Sequence, residues 1–86
     1  MTEQEIIKIF GGARHCKKNN YGYYEIYRRE PALDRDVCVA SYHPSLNEVR
    51  PTHGYFVPHK IGNAIKRKCE KNGITFNNNW YVHWKY

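Results

Sequence analysis

Residues 21–29 read YGYYEIYRR, and the rest of the fold is predicted around the strand that they indicate. The stretch is rich in tyrosine and isoleucine, and aromatic and β-branched residues favour β-strands. Successive side chains of a strand point to opposite faces, so Tyr24 and Ile26 share one face while Tyr23 and Glu25 share the other. The pattern therefore predicts a strand over residues 21–29 that presents tyrosines on both faces.

A second strand is predicted over residues 37–43, after a turn over residues 31–36 that contains Pro31. The two strands are expected to pair as an antiparallel hairpin. Strict alternation divides the second strand into Val37, Val39 and Ser41 on one face, and Cys38, Ala40 and Tyr42 on the other.

A helix is predicted on each side of this hairpin. Thr2 and Glu5 have capping-box spacing, which favours a helix over residues 2–18. Gly11 and Gly12 weaken that helix, so it either ends at Phe10 or continues as a short turn over residues 13–18. The second helix begins near Pro58 and ends before Gly73, and its apolar face is formed by Ile61, Ala64, Ile65 and Cys69.

The remaining segments complete an α+β fold in a single domain, residues 1–86. Residues 44–53 are predicted to be a loop, residues 54–57 a short extended piece, and residues 80–86 a terminal strand. Two helices then pack on a small antiparallel sheet in the order α-β-β-β-α-β. Double-stranded-RNA-binding domains have this element order with one strand fewer, although a fold does not fix a function.

The charge of the chain predicts an acidic partner. Lysine and arginine total 14 against 8 aspartates and glutamates, so the formal net charge is +6. Clustered positive charge attracts polyanions through phosphate contacts and counterion release. The basic residues form two clusters, one of Arg14, Lys17 and Lys18 and one of Lys60, Lys66, Arg67, Lys68 and Lys71. The expected nucleic-acid-binding residues are two lysines of the first cluster, two hairpin residues and four cations of the second cluster: Lys17, Lys18, Tyr24, Arg28, Lys60, Lys66, Arg67 and Lys71.

Several other classes of protein are not indicated by the sequence. No apolar run approaches the ~20 residues that span a membrane, and the three cysteines, with no secretory signal before them, favour a reducing, cytoplasmic compartment. Neither cofactors nor metals are expected, because glycine-rich phosphate loops, nucleophile elbows, paired carboxylates and chelating Cys or His pairs are all missing.

Three stretches together resemble the HicA family of small toxin ribonucleases. Residues 5–8 (EIIK) resemble the opening helix of the family, and residues 22–28 (GYYEIYR) its first strand. Residues 63–74 (NAIKRKCEKNGI) resemble its second helix and the Ala-Gly-Ile ending. The terminal segment 77–86 has no counterpart in the family pattern.

The resemblance implies a double-stranded-RNA-binding-like fold, an RNA substrate and a neutralising protein partner, as in toxin–antitoxin pairs. The active-site histidine of the family corresponds to Tyr24 here, and a phenol with an ordinary pKa of about 10 is a poor general base at neutral pH. Either the chemistry is lost, which is the reading we favour, or His43 takes over that role, or only the fold is shared. Tyr24 and His43 are thus the weak catalytic candidates.

Two readings compete with an RNA-binding domain. One is a non-enzymatic inhibitor that occupies a protein surface, such as a phage-encoded blocker of a host defence or regulatory protein, because tyrosine, tryptophan and arginine dominate interface hot spots. The other is a repressor-type helix-turn-helix over residues 10–28, which the strand character of the tyrosine-rich run opposes. Salt dependence separates phosphate binding from an apolar interface, because only the former weakens steeply with salt.

Overall fold

The computed structural model describes residues 1–30, 34–51 and 59–77 and, at His59, the backbone alone. Its elements in chain order are α1 (Glu3–Ile9), β1 (Cys16–Lys18), β2 (Tyr24–Glu30), β3 (Arg35–His43), β4 (Glu48–Pro51), α2 (His59–Lys71) and β5 (Thr75–Phe76). The predicted α+β class is confirmed, and β2 and β3 are antiparallel neighbours as expected. The predicted extended piece at 54–57 and terminal strand at 80–86 lie outside the described residues.

The sheet has the strand order β1-β2-β3-β4-β5. The pairs β1–β2, β2–β3 and β3–β4 are antiparallel, whereas β5 runs parallel to β4, so the sheet is mixed rather than purely antiparallel. Three strands were not predicted. β1 lies where the sequence suggested helix or turn, β4 lies inside the predicted loop 44–53, and β5 precedes the predicted terminal strand 80–86.

The first helix ends early because its C-terminal neighbours have left-handed backbones. Thr2 and Glu5 form the predicted capping box, in which each backbone N–H donates to the other residue's side chain. Phe10 caps the other end, and Gly11 and Gly12 follow with φ of 110° and 90°. An L-residue rarely adopts such angles, so the glycines turn the chain toward β1.

Both helices cover the same face of the sheet. Ile6 and Phe10 from α1 and Ile65 and Cys69 from α2 are buried in one cluster. The sheet contributes Cys16, Tyr24, Ile26, Val39, Ala40, Tyr42 and Val49 to this cluster. We call the face that these side chains share the core face, and the opposite face the outer face. Ala64, which the sequence placed on the apolar side of α2, is exposed.

A β-bulge changes which residues of β3 point inward. Ile26 pairs with Ala40, but the next residue, Tyr27, pairs with Cys38, so Val39 is the extra residue. Val39 and Ala40 are consequently both fully buried. The strict alternation expected from the sequence therefore fails at this point: Ser41 lies on the outer face, opposite Glu25, instead of sharing a face with Val39.

Candidate nucleic-acid interface

Three of the predicted binding residues form a stripe on α2. Lys60, Arg67 and Lys71 are all exposed. At about 3.6 residues per turn, Lys60 and Arg67 lie about two turns apart and Lys71 about one turn further, so the three project from the same side of the helix. That side is opposite the buried Ile65 and Cys69.

Two further lysines flank this stripe. Lys68 is exposed and lines a shallow groove between the two helices, together with Lys71 and with Lys8 of α1. Lys66 is half-buried and lies about 100° around the helix from Arg67, so it stands apart from the stripe. We use the name helix-layer basic surface for Lys8, Lys60, Arg67, Lys68 and Lys71.

The cations of this surface have few acidic neighbours. Glu70 is the single acid in the sequence of α2, and Glu5 lies at the groove, where Thr2 engages it. The ion pairs formed within residues 1–30, 34–51 and 59–77 are Lys18–Glu3, Arg29–Asp34 and Arg50–Glu48. None of them involves the helix-layer basic surface, so within the described residues its cations form no ion pair.

Lys8 and Lys68 were missing from the predicted site. Both are basic residues in the last turn of their helices, a position that favours cations because of the helix dipole. No local sequence pattern indicates that the two helix ends lie side by side, because that arrangement depends on how both helices pack on one sheet.

The two lysines of β1 lie on opposite faces of the sheet. Lys18 reaches toward the helices, where its Nζ is 3.4 Å from a Glu3 oxygen. Lys17 lies on the outer face, with its Nζ 5.4 Å from the centre of the Tyr27 ring. A phosphate backbone that runs along the helix layer would therefore come near Lys18. Lys17 would lie on the opposite face of the sheet and would not contact it.

Arg28 is poorly placed for phosphate binding. Its guanidinium is half-buried and donates a hydrogen bond of 2.7 Å to the Tyr27 carbonyl oxygen. Burial lowers the pKa of this guanidinium, with the nearby Cys16 opposing the effect. We therefore do not expect Arg28 to bind phosphate, because its guanidinium is half-buried and hydrogen-bonded within the sheet.

Tyr24, predicted both as a binding residue and as a weak catalytic candidate, belongs to the core. It is 5% exposed, and its ring centroid lies 6.1 Å from that of Tyr42. A side chain buried on this face cannot stack on a base from outside. The sequence could not show this, because tyrosines on both faces of β2 look alike without knowledge of where the helices pack.

His43, the other catalytic candidate, lies on the outer face. Its ring stacks on Tyr23 with centroids 4.7 Å apart, and its Nε2 is 2.9 Å from the Ser41 hydroxyl oxygen. Burial lowers the pKa of His43, and the positive charge of Arg50 lowers it further, against an opposing effect of Glu48. His43 and Tyr24 thus face opposite sides of the sheet, so His43 does not lie on the face where the family histidine was expected.

Searches against protein-family models, curated proteins and solved structures found no match to this chain. Within the described ranges, no helix is long and apolar enough to cross a bilayer. In the same part of the chain, no three His, Cys, Asp or Glu side chains come together in a way that could hold a metal ion.

Proposed function

We propose that this protein binds RNA through the helix-layer basic surface. The observation that carries the proposal is the exposed stripe of Lys60, Arg67 and Lys71, none of which forms an ion pair with a described residue. Lys8 and Lys68 extend the positive charge across the groove between the helices. Cations in a row along one helix match the repeating phosphates of a nucleic acid strand.

The resemblance to the HicA family supports RNA as the nucleic acid and a cytoplasmic setting for it. It also suggests a neutralising protein partner, which remains part of the proposal. RNA cleavage is not part of the proposal, because Tyr24, which corresponds to the family histidine, lies in the core. No disulfide joins the three cysteines, in keeping with a reducing compartment.

The test compares two triple variants that lose the same charge. In K60Q/R67Q/K71Q the stripe is neutral, whereas R14Q/R29Q/R35Q removes three exposed arginines from loops and strands. We expect the stripe variant to bind a labelled RNA oligonucleotide much more weakly at low salt, with the control near the wild type. The slope of log affinity against log salt should fall by about 2, since a single strand contributes roughly 0.7 per phosphate contact.

The outcomes separate the competing functions. Equal weakening of both variants would show a general effect of net charge and contradict a site on α2. Absence of RNA binding by the wild type, together with a co-purifying protein whose association is insensitive to salt, would favour the inhibitor reading instead.

A further inference from the structure

Three aromatic rings are stacked at one end of the outer face. Tyr23 lies between the other two, with its ring centroid 6.2 Å from Tyr21 and 4.7 Å from His43. The interplanar angles are 17° and 30°, so the rings are close to parallel. His43 ends the stack within the sheet, whereas Tyr21 ends it in solvent, with 84% of its surface exposed.

The turn between β1 and β2 fixes the solvent end of this stack. The Asn19 side-chain oxygen accepts hydrogen bonds from the backbone N–H groups of Tyr21 and Tyr23, at 2.9 and 3.3 Å. Gly22 has a φ of 89°, which allows the tight reversal between the two tyrosines. These hydrogen bonds hold the backbone that carries both rings, and such preorganisation reduces the entropy lost on binding.

The sheet fixes the other end. Ser41 lies within hydrogen-bond distance of the His43 ring, as described above, and the same strand carries both residues. Burial and the charge of Arg50 lower the pKa of His43, which favours the neutral imidazole in this stack. Because Tyr23 and His43 are held in place, a further planar group can stack only on the solvent-exposed side of the Tyr21 ring.

We propose that Tyr21, supported by Tyr23 and His43, is a stacking platform for unpaired nucleobases of single-stranded RNA. The inference names the form of the nucleic acid and so rests on the proposed function, but it uses a different surface. A planar base would continue the near-parallel series of rings, and base–aromatic stacking tolerates any sequence. A perfect duplex could not use this platform, because its bases are already stacked and paired.

Charge and surface composition favour a nucleobase over a protein side chain. The chain has a net charge of +6, which draws polyanions toward it as a whole. In the described part of the chain, the exposed large apolar side chains are Met1, Tyr21 and Leu46, which come from three separate segments. A protein interface normally has a broader apolar centre than one such ring provides.

The experiment measures binding of one single-stranded RNA and of a duplex of equal total charge. Y21L removes the ring but keeps an apolar side chain, and Y21F keeps the ring as the matched control. We expect Y21L to weaken single-strand binding by on the order of tenfold, from the usual size of base–aromatic stacking, and to leave duplex binding unchanged. A 2-aminopurine base in the single strand should be quenched by the wild type and Y21F but not by Y21L.

The stripe variant K60Q/R67Q/K71Q, measured in parallel, separates the two proposals. If it weakens binding while Y21L binds the single strand like the wild type, the platform is wrong and the proposed function stands. If Y21L and Y21F weaken single-strand binding by the same factor, the ring is not the group that binds and the platform is wrong. The platform is also wrong if Y21L weakens duplex binding as much as single-strand binding. Failure of the wild type to bind either RNA would overturn both proposals.

Discussion

Tyr24 and His43 illustrate how a single register position decides what a side chain can do. Tyr24 pairs with Tyr42, the residue next to His43, yet Tyr24 and His43 lie on opposite faces because strand side chains alternate. A catalytic base must reach its substrate before its pKa matters. The Tyr24 phenol is buried on the core face and cannot reach a substrate, whereas the half-buried His43 imidazole on the outer face can.

We expect no efficient ribonuclease activity of the family type. Purified wild-type protein incubated with end-labelled RNA should leave the RNA intact, and Y24F and H43Q prepared in parallel show whether any background cleavage comes from a contaminant. Cleavage that H43Q abolishes and Y24F retains would restore the enzyme reading with His43 as the base. Cleavage that Y24F abolishes would mean that the family chemistry operates from the core face, contrary to our expectation.

At the scale of elements, the sequence predicted what depends on repeated local patterns. β2, β3 and α2 have enough residues for alternation or helical spacing to show, and all three are present. β1 has three residues and β4 has a single buried one, Val49, so neither carries a detectable period. The bulge at Val39 and the adjacent helix ends escaped prediction because they depend on pairing and packing between segments distant in the chain.

Asn47 joins the turn after β3 to the end of α2, and this junction gives a prediction about stability. Its side-chain oxygen accepts a hydrogen bond of 2.8 Å from the Tyr42 hydroxyl, and its amide nitrogen donates one of 2.9 Å to the Gly73 carbonyl. Its φ is 49°, a left-handed value that asparagine tolerates better than alanine. We expect N47A to lower the free energy of unfolding by about 1–3 kcal/mol.

Urea unfolding with a graded set of variants tests this junction. N47D keeps the acceptor for the Tyr42 hydroxyl and a residue that tolerates the left-handed backbone, so it should lose less stability than N47A. Ser45 is exposed in the same turn, and S45A serves as the control, with an expected change within about 0.5 kcal/mol. Wild-type stability of N47A would show that the turn and α2 are not joined through this side chain.

At the scale of the whole molecule, the structure divides the predicted binding residues between two sides of one core. The stripe of α2 and Lys18 belong to the helix layer, Lys17 belongs to the outer face, and Tyr24 lies between the layers. Sequence reasoning identified the cations but could not assign them to sides, since that assignment follows from the burial of both helices on one face. The stack of Tyr21, Tyr23 and His43 was not predicted for the same reason.

The burial of two cysteines in one core cluster predicts how the thiols react. Cys16 of β1 and Cys69 of α2 are 1% and 0% exposed within the same cluster, although the two elements are far apart in sequence. Burial raises the pKa of Cys16 to about 11, with Arg28 partly opposing it, and raises that of Cys69 to about 12. At pH 8 both groups are therefore protonated thiols without access to reagent, whereas Cys38 is only half-buried.

We expect one fast-reacting thiol in the folded wild type, Cys38, and no fast-reacting thiol in C38S. In C38S, alkylation followed by mass spectrometry should give the same slow rate for both remaining cysteines, because either becomes accessible only when the shared core opens. Low urea should accelerate both by the same factor, in proportion to the population of unfolded protein. Much faster labelling of Cys16 than of Cys69 would mean that β1 detaches from the sheet on its own, and the two layers would then not unfold as one unit.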